Sequence, residues 1–508
     1  MPVDTKHPDY LLYSDRWLRA REVISGEDAV KQAGERYLPK LGGDAEDEYK
    51  AYKDRSDFFN ATGRTLAGFK GMAFRKPMAL EFDDTLKPLE RDATMSGSSL
   101  QDYGKKLLDE LLAVGRAGTL VDFTAEEGGG RPYFTAYRAE QIINWQMGRV
   151  AGRNVLKLVV LDEMAEIDDL PAQEQSAGDA ATEAAAAQQA EGEADEFAPA
   201  MVRQLRVLRL ETLMEPVGYV VEIYRETTKD NKTEWAVVAT VKPTRRSKML
   251  DFIPFVFHTA SNCGCECERP PLDDIILKNL AHWRNSADYE HGLHFTATPT
   301  PWVTGVEPTG DLNIGSGIAW EIANAEAKVG MLEFTGNGLG TIKEAMEQKE
   351  HHMAVLGAKM LEAAKRATET AETWRIKSAG EATTLTDWVT SLSESLTTAA
   401  RMAAWWIAPA DKKLEELDAV KVTVNTEFIT MTLTPDEIRA LVIAFQSQTM
   451  SRTTVIANFA KGGLLPQGTS PDDESALIDS QPPPAGFIEQ PPPAAPGTKP
   501  KPAKGAAK

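Results

Sequence analysis

The strongest constraint on the fold lies between Pro254 and Thr304, where two prolines precede a long amphipathic pattern. Pro270 and Pro271 favour the end of the preceding secondary structure, and apolar side chains then recur every three or four positions. The apolar positions are Leu272, Ile275, Ile276, Leu280, Trp283, Ala287 and His291. A helix is therefore predicted over 271–292. A Gly- and Pro-rich stretch and a second long helix pattern follow, so helix, compact module and helix stand in series.

The remaining patterns predict an α+β protein. Helices are predicted over 44–73, 99–115 and 382–408. A helical hairpin is predicted from Thr434 onward, because Thr434, Pro435 and Glu437 form a strong helix start. Short runs of β-branched residues predict strands for TLVDF, YFTAYR, NVLKLVVL, RQLRVLRL, GYVVEIYRE, EWAVVATV and FIPFVFH.

Three segments interrupt these patterns. Residues 162–200 hold a dozen Asp or Glu and no Lys or Arg, which predicts a mobile acidic insertion; an acidic docking site for a basic partner is the alternative. The segment from Thr368 to Gly380 ends in glycine between two helix patterns and is predicted to be a loop. Residues 466–508 contain PPP twice, so a disordered Pro-rich tail is expected.

The overall charge excludes one class of function. The chain has 508 residues and a net charge of −20, which disfavours a broad basic surface that grips nucleic acid. A like-charged wall past which DNA slides remains compatible with that charge. The polar start MPVDTKHPDY is unlike a signal peptide, and no apolar run is long enough to predict a membrane span.

Motifs for chemistry are missing from the sequence. There is no P-loop, G-x-S-x-G, HExxH, or G-x-G-x-x-G that opens a helix after a strand, so no enzyme and no cofactor are predicted. Cys263, Cys265 and Cys267 follow His258, which in principle offers four zinc ligands. Because C-x-C spacing is unusual for zinc, reduced loop thiols and no metal are expected. The basic cluster Lys242, Arg245, Arg246 and Lys248 is interpreted as a solvated loop, with a DNA phosphate contact as the alternative.

The order of these segments resembles the portal proteins of tailed bacteriophages over about residues 35–465. YLPKLGGDAEDEYKAYKDRSDFFNATGRTLAGFKGMAFRKP is similar to their N-terminal wing segment, and FIPFVFH with PPLDDIILKNLAHWRNSADYEHGLHF is similar to the portal strand and first stem helix. The spacing of Asn279, Ser286 and Asp288 belongs to the same resemblance. ATETAETWRIKSAGEATTLTDWVTSLSESL and VNTEFITMTLTPDEIRALVIAFQSQTMSRTTVIANFAKGGLLP resemble the loop with the long helix and the helical crown.

The resemblance implies a portal fold with a β-rich wing, helical stem, small clip, tunnel loop and crown. The implied segments are a wing at 1–270, stem helices at 271–296 and 341–368, a clip at 297–340, a tunnel loop at 369–381, a long helix with wing return at 382–433, and a crown at 434–465. Portal proteins form rings of about twelve subunits at one capsid vertex of the virion, after assembly in the host cytoplasm. The implied partners are other copies of the chain, the major capsid protein and scaffold, the terminase packaging motor, the head–tail adaptor and the double-stranded DNA in the channel.

Two groups of residues are candidates for contacts in such a ring. Trp302 and Trp320 in the clip are candidate anchors for the motor and the adaptor, with burial inside the clip as the alternative. Trp374, Arg375 and Lys377 are candidate channel residues, with an ordinary helix as the alternative. Two further hypotheses for the whole chain stay open at this point: a phage DNA-processing enzyme such as a nuclease, and a head scaffold or adaptor that forms no channel.

Overall fold

A computed structural model of the chain describes most of its 508 residues. The described residues are 2–40, 45–124, 130–150, 152–166, 201–211, 218–229, 232–261, 264–298, 300–305, 324, 326–332, 336–358, 371–428, 435–461, 464–465 and 471–481; for 371–383 the description covers the backbone. They group into two compact units, Met1–Phe428 and Ile429–Lys508.

The first unit mixes helices and strands, as the α+β prediction requires. Its helices are α1 Pro8–Ser25, α2 Glu27–Ala33, α3 Glu46–Arg55, α4 Ala61–Ala73, α5 Lys87–Arg91, α6 Leu100–Val114, α7 Asp273–Ala297, α8 Leu339–Met353 and α9 Ala371–Ile407. Its strands are β1 Ala79–Glu81, β2 Arg116–Phe123, β3 Pro132–Arg138, β4 Ile142–Val150, β5 Arg153–Glu166, β6 Met201–Glu211, β7 Gly218–Lys229, β8 Lys232–Val241, β9 Thr244–Arg245, β10 Lys248–Met249, β11 Phe255–Thr259, β12 Thr300–Thr304, β13 Lys328–Leu332 and β14 Lys421–Thr423. The second unit contains α10 Pro435–Gln446, α11 Arg452–Lys461 and α12 Pro471–Ser480.

The strands form two main antiparallel sheets. One has the order β4-β5-β6-β7-β8, and the other has the order β11-β2-β3. In the second sheet Phe255 is opposite Leu120 and Thr259 is opposite Arg116, so β11, the strand that leads to α7, is an edge strand paired along its length with β2. Its neighbour β2 is buried over its first six residues, which include the polar side chains of Arg116 and Thr119.

Helix α9 packs against the β11-β2-β3 sheet, α6 and β14 through a buried apolar stripe. The predicted stripe is confirmed, with Trp388 half-buried and the others buried: Leu385, Val389, Leu392, Leu396, Ala399, Ala403 and Trp406. Buried serine and threonine side chains lie between the residues of this stripe: Ser391, Ser393, Ser395 and Thr397. Because the stripe repeats at helical spacing, a single rigid helix can hold both β11 and β14 in place.

The described structure differs from the predictions at several elements. The helix expected over 44–73 is two helices, because the chain is extended at Ser56 and the Asn60 side chain caps α4 by accepting a 2.8 Å hydrogen bond from Gly63 N. Residues 162–166, expected in the acidic insertion, extend β5, where Arg203 pairs with Asp162 at 2.7 Å. Strand β4 was not predicted. The rest of the insertion lies outside the described residues.

The prediction of a loop over 369–381 is also wrong for residues 371–381, the part that the structure describes. Residues 371–381 belong to α9, which continues without a break to Ile407. The segment lacks proline, and Gly380 alone disfavours a helix by only about 1 kcal/mol relative to alanine. The predicted disordered tail likewise contains a helix, α12, which begins at Pro471. Arg452 Nη1 of α11 lies 2.5 Å from Asp479 Oδ1 of α12. Among the described helices, none has the length and hydropathy to cross a membrane.

His258 provides a test of the packing around β11. Its Nε2 lies 2.6 Å from Thr119 Oγ1 and its Nδ1 lies 2.8 Å from Ser395 Oγ, so the imidazole joins β2, β11 and α9. Burial lowers the pKa of His258 from 6.5 to about 3. The unfolded chain therefore binds this proton more tightly, and stability falls as the pH drops below 6.5 towards the folded-state pKa.

We expect about 2 kcal/mol of the unfolding free energy to be lost through His258 alone between pH 7 and pH 5. His258→Gln keeps a neutral hydrogen-bonding group but removes this titration, so its unfolding free energy should decline less over the same interval. Urea denaturation of both proteins at the two pH values measures the difference. Equal declines in parent and variant would show that His258 is not a buried neutral group.

Candidate functional site

Helices α7 and α8 run antiparallel, and the β12–β13 hairpin lies between them in the chain. His282 Nε2 near the middle of α7 lies 3.1 Å from Glu350 Oε1 near the end of α8. At the other end of the pair, Leu339 packs directly over the backbone of Gly292. We refer to α7, the β12–β13 hairpin and α8 together as the helix–hairpin–helix module.

The first half of α7 is fixed to the body of the unit by buried polar side chains. Asn279 Oδ1 accepts hydrogen bonds from Thr62 N at 3.1 Å and Thr62 Oγ1 at 3.0 Å, while Asn279 Nδ2 donates to Phe59 O at 2.8 Å. Trp283 is fully buried and its Nε1 donates to Ser56 Oγ at 2.9 Å. The bond from Thr62 N satisfies a buried backbone donor in the first turn of α4, where no intrahelical carbonyl can accept it.

Two further contacts continue the attachment along α7. Asp57 N donates to Ser286 Oγ at 3.2 Å, and Tyr52 OH donates to Asp288 Oδ1 at 2.7 Å. Asn279, Ser286 and Asp288 therefore all face α3, α4 and their connection. The sequence carries a signal for this role, because Asn279 and Ser286 are polar residues at positions where the helical pattern requires burial.

An ion-pair cluster holds the start of α7. Arg19 Nη2 lies 2.7 Å from Asp273 Oδ1, and Arg269 Nε lies 2.9 Å from Asp273 Oδ2. Burial opposes ionisation of Asp273, but the hydrogen bonds from both arginines outweigh it and lower the pKa of this carboxyl group. Arg269 also pairs with Asp274, so the i,i+4 pairing of Asp274 with Lys278 that the spacing allows is replaced by a contact from outside the helix.

The distal half of the module exposes apolar side chains and has few buried residues beneath them. Leu293 and Phe295 near the end of α7 are exposed, and Met353 is the one buried residue of α8. On the hairpin, Trp302 is 42% exposed, Val329 56%, Met331 58% and Leu332 54%. An isolated two-stranded hairpin is only marginally stable in water. The exposed apolar side chains on this hairpin therefore indicate an interaction surface.

Trp302 is the predicted clip residue that the structure describes. It lies opposite Gly330 on β13, and its indole ring covers the Gly330 backbone so closely that a Cβ there would lie 2.7 Å from Trp302 Cζ2. The ring is therefore half-packed on its own hairpin, with its remaining surface open to solvent. Trp320 lies outside the described residues.

The predicted channel residues fall on helical backbone. Positions 374, 375 and 377 are in the first two turns of α9, and their side chains are outside the described part of the structure. The helix that precedes them also changes geometry: α8 passes into a π-helical turn over Ala354–Ala358. Gly357 in this turn packs against Ile275 and Thr65, where a Cβ would lie 2.4 Å and 2.6 Å from their side-chain atoms.

The residues considered for a zinc site are separated by their packing. Both His258 nitrogens are engaged by Thr119 and Ser395, and Arg116 Nη1 donates to Cys267 Sγ at 2.6 Å. Cys263 lies outside the described residues. Across the described part of the chain, no three His, Cys, Asp or Glu side chains are grouped to hold a metal ion.

The basic cluster at 242–248 has a structural component. Arg245 Nη2 donates to Ala408 O at 2.7 Å and Pro409 O at 2.8 Å, and its guanidinium lies 4.2 Å from the Trp405 ring centroid. It therefore caps the carboxyl end of α9, where a cation is favourable. Arg246 and Lys248 are exposed on the β9–β10 hairpin.

Comparisons with known proteins give a partial match and a distant likeness. Residues 271–407 match the model of a family described as a domain of unknown function (DUF4055). This match begins just before α7 and ends with α9, so it covers the helix–hairpin–helix module and the long helix that follows. No curated protein matches the chain significantly.

Among solved structures, the chain is similar to components of gene transfer agent particles. The neck of an empty particle gives 12% identity and a TM-score of 0.36, covering 91% of this chain and 100% of that chain. The virion of the native particle gives 11% identity and a TM-score of 0.35, with 89% and 99% covered, and the native neck gives 12% and 0.35, with 83% and 90% covered.

Attachment of α7 through Asn279 can be tested by mutation. Asn279→Ala removes three hydrogen bonds and leaves Thr62 N buried without a partner, while Phe59 O keeps its bond from Ala61 N, so we expect a loss of about 3 kcal/mol in unfolding free energy. Asn285→Ala, at a half-buried position on the same helix, should change the unfolding free energy by less than about 0.5 kcal/mol. Urea denaturation of the parent and both variants measures this. Similar losses for the two variants would contradict the specific role of Asn279.

Proposed function

We propose that this chain is a portal protein of a tailed bacteriophage or a phage-like particle. In this proposal it assembles into a closed ring of about twelve subunits that conducts DNA during packaging and release. The resemblance of the sequence supports the assignment, and so does the arrangement of a helix, an exposed hairpin and an antiparallel helix. The observation that carries the proposal is the uneven burial of α7, whose first half is fixed by buried polar bonds and whose distal half exposes apolar side chains.

The proposal assigns a role to each described segment. The first part of the chain through β11 forms the wing, α7 and α8 form the stem, and the β12–β13 hairpin belongs to the clip. Helix α9 is the long helix, and α10 and α11 form the crown. Relative to the boundaries expected from the sequence, α9 begins earlier, so any tunnel loop is confined to residues before Ala371.

Uncovered apolar surface favours an assembly over a monomer. Soluble monomers seldom leave such surface open unless it mediates binding. Contacts in which one subunit's patch meets a different patch on the next generate a ring if the rotation closes. The net charge of −20 per chain bears on the channel instead, because a ring of such chains repels DNA phosphates and allows the duplex to slide.

The ring is the first expected outcome. Native mass spectrometry of the purified chain should show a species of about twelve subunits, and negative-stain imaging should show a central hole. Monomers or dimers alone at micromolar concentration would contradict the proposal. A metal-dependent DNA cleavage activity, in contrast, would favour the nuclease hypothesis.

Substitution of Trp302 distinguishes two possible roles of the β12–β13 hairpin: binding of the motor and adaptor, or contact between neighbouring subunits. If Trp302 contacts the packaging motor and the adaptor, Trp302→Ala forms the ring normally and loses partner binding, while Trp302→Phe retains it. If the hairpin instead joins neighbouring subunits, Trp302→Ala reduces ring formation itself. If Trp302→Ala keeps both the ring and the partner binding, Trp302 is not part of either interface.

We further propose that Arg375 and Lys377 make transient DNA phosphate contacts, with Trp374 packing against a neighbouring subunit. The backbone refines this proposal, because positions 375 and 377 are separated by about 200° around the axis of a continuous helix. One of the two cations, and not both, is therefore expected to face the channel.

Each substitution is expected to leave the ring intact. Arg375→Ala or Lys377→Ala, whichever residue faces the channel, should reduce the amount of DNA packaged or retained, and the other should act as a near-silent control. The double variant Lys412→Ala with Lys413→Ala removes two exposed cations beyond α9 and controls for net charge. Packaging assays across a range of salt concentrations measure the effect. Parental packaging by Arg375→Ala with Lys377→Ala at every salt concentration would exclude the contact.

A further inference from the structure

A buried arginine lies at the base of the segment that connects β11 to α7. Arg116 is 1% exposed, and its guanidinium contacts two aromatic rings that are steeply inclined to each other, 3.8 Å from the Trp145 centroid and 4.7 Å from the Phe257 centroid. Burial and contact with both rings restrict the orientation of the guanidinium and of its N–H donors. One of them, on Nη1, donates to Cys267 Sγ at 2.6 Å.

Cys267 is more accessible to solvent than the Arg116 guanidinium. The thiol is half-buried, as is that of Cys265 two residues earlier, whereas Arg116 is enclosed. A cation at hydrogen-bond distance favours the thiolate over the thiol, and the thiolate is the form that reacts. The arrangement therefore joins a partly accessible sulfur to a fixed cation.

The contact is continuous with the start of α7. Next to Cys267, Glu268 accepts a hydrogen bond from Ser261 N at 3.0 Å and closes the connecting segment. The following residue, Arg269, pairs with Asp273 in the first turn of α7. Cys267 is therefore two residues from Arg269, the side chain that pairs with the first turn of α7.

We propose that Cys267 is a redox-sensitive anchor for the connection between β11 and α7. The Cys267 thiolate attacks one sulfur of a small disulfide such as glutathione disulfide, an S–S bond forms to the protein, and the original S–S bond breaks. Glutathione thiolate leaves and takes a proton from water, so Cys267 is oxidised and one glutathione is reduced. In the mixed disulfide the Cys267 sulfur no longer carries the thiolate charge and bears a bulky group, so the segment is displaced from Arg116. The anchor is closed in a reducing compartment and opens in an oxidising one.

Alkylation of the native, reduced full chain tests the reactivity, with Cys265 as an internal control. At pH 6 and limiting iodoacetamide, peptide mass spectrometry should show Cys267 labelled about tenfold faster than Cys265, since the cation favours the thiolate. Arg116→Lys should reduce that ratio if the variant folds by circular dichroism. The comparison within the parent protein stands even if it does not fold. Equal labelling, or faster labelling of Cys265, overturns the proposal.

A second measurement tests the anchoring. After treatment with glutathione disulfide, amide hydrogen exchange should increase over residues 260–272 and at the start of α7, and dithiothreitol should reverse the change. Cys267→Ser treated in the same way should show no increase. Selective modification of Cys267 without a change in exchange would overturn its role as an anchor. Neither measurement depends on ring formation, so the proposed function and this inference can fail separately.

Discussion

A series of buried hydroxyl groups along α9 is the contact on which the first unit depends. Ser391 donates to Thr259 O at 2.6 Å, and Ser395 contacts His258, so one side of the helix holds β11. On the other side Ser393 Oγ accepts from Val424 N and Thr397 Oγ1 accepts from Val422 N, both at 3.0 Å, which fixes β14. These hydroxyls satisfy strand-edge backbone groups that would otherwise be buried without partners.

The same principle extends from α9 to α7. Asn279, Trp283 and Ser286 satisfy the backbone and side chains of residues 56–62, where two helices separate. Buried polar bonds of this kind are directional, so they fix the rotation and register of a helix more narrowly than apolar packing does. A helix held in this way over its first half presents its distal half, and the hairpin beyond it, in a defined direction.

This division of α7 links stability to the proposed function. A conduit requires a rigid body that places an exposed binding element, and the fixed half and the uncovered half of one helix provide both. The ion pairs of Asp273 with Arg19 and Arg269 and the contact of Cys267 with Arg116 lie at the junction. Perturbation there changes how the module is joined to the body without altering the module itself.

The sequence alone determined the α+β class, most strands, the position of α7 and the buried stripe of α9, because helical and strand periodicities are local properties. It also indicated Trp302 as a surface candidate. Other features needed the tertiary structure. Gly380 fails to interrupt α9, Ser56 separates α3 from α4, and Pro471 begins a helix in the Pro-rich tail, since weak local preferences are overridden by capping and contacts. Only the fold could bring Arg116 to Cys267 and Asn279 to Thr62, because such pairings join residues far apart in the chain and leave no periodic signal.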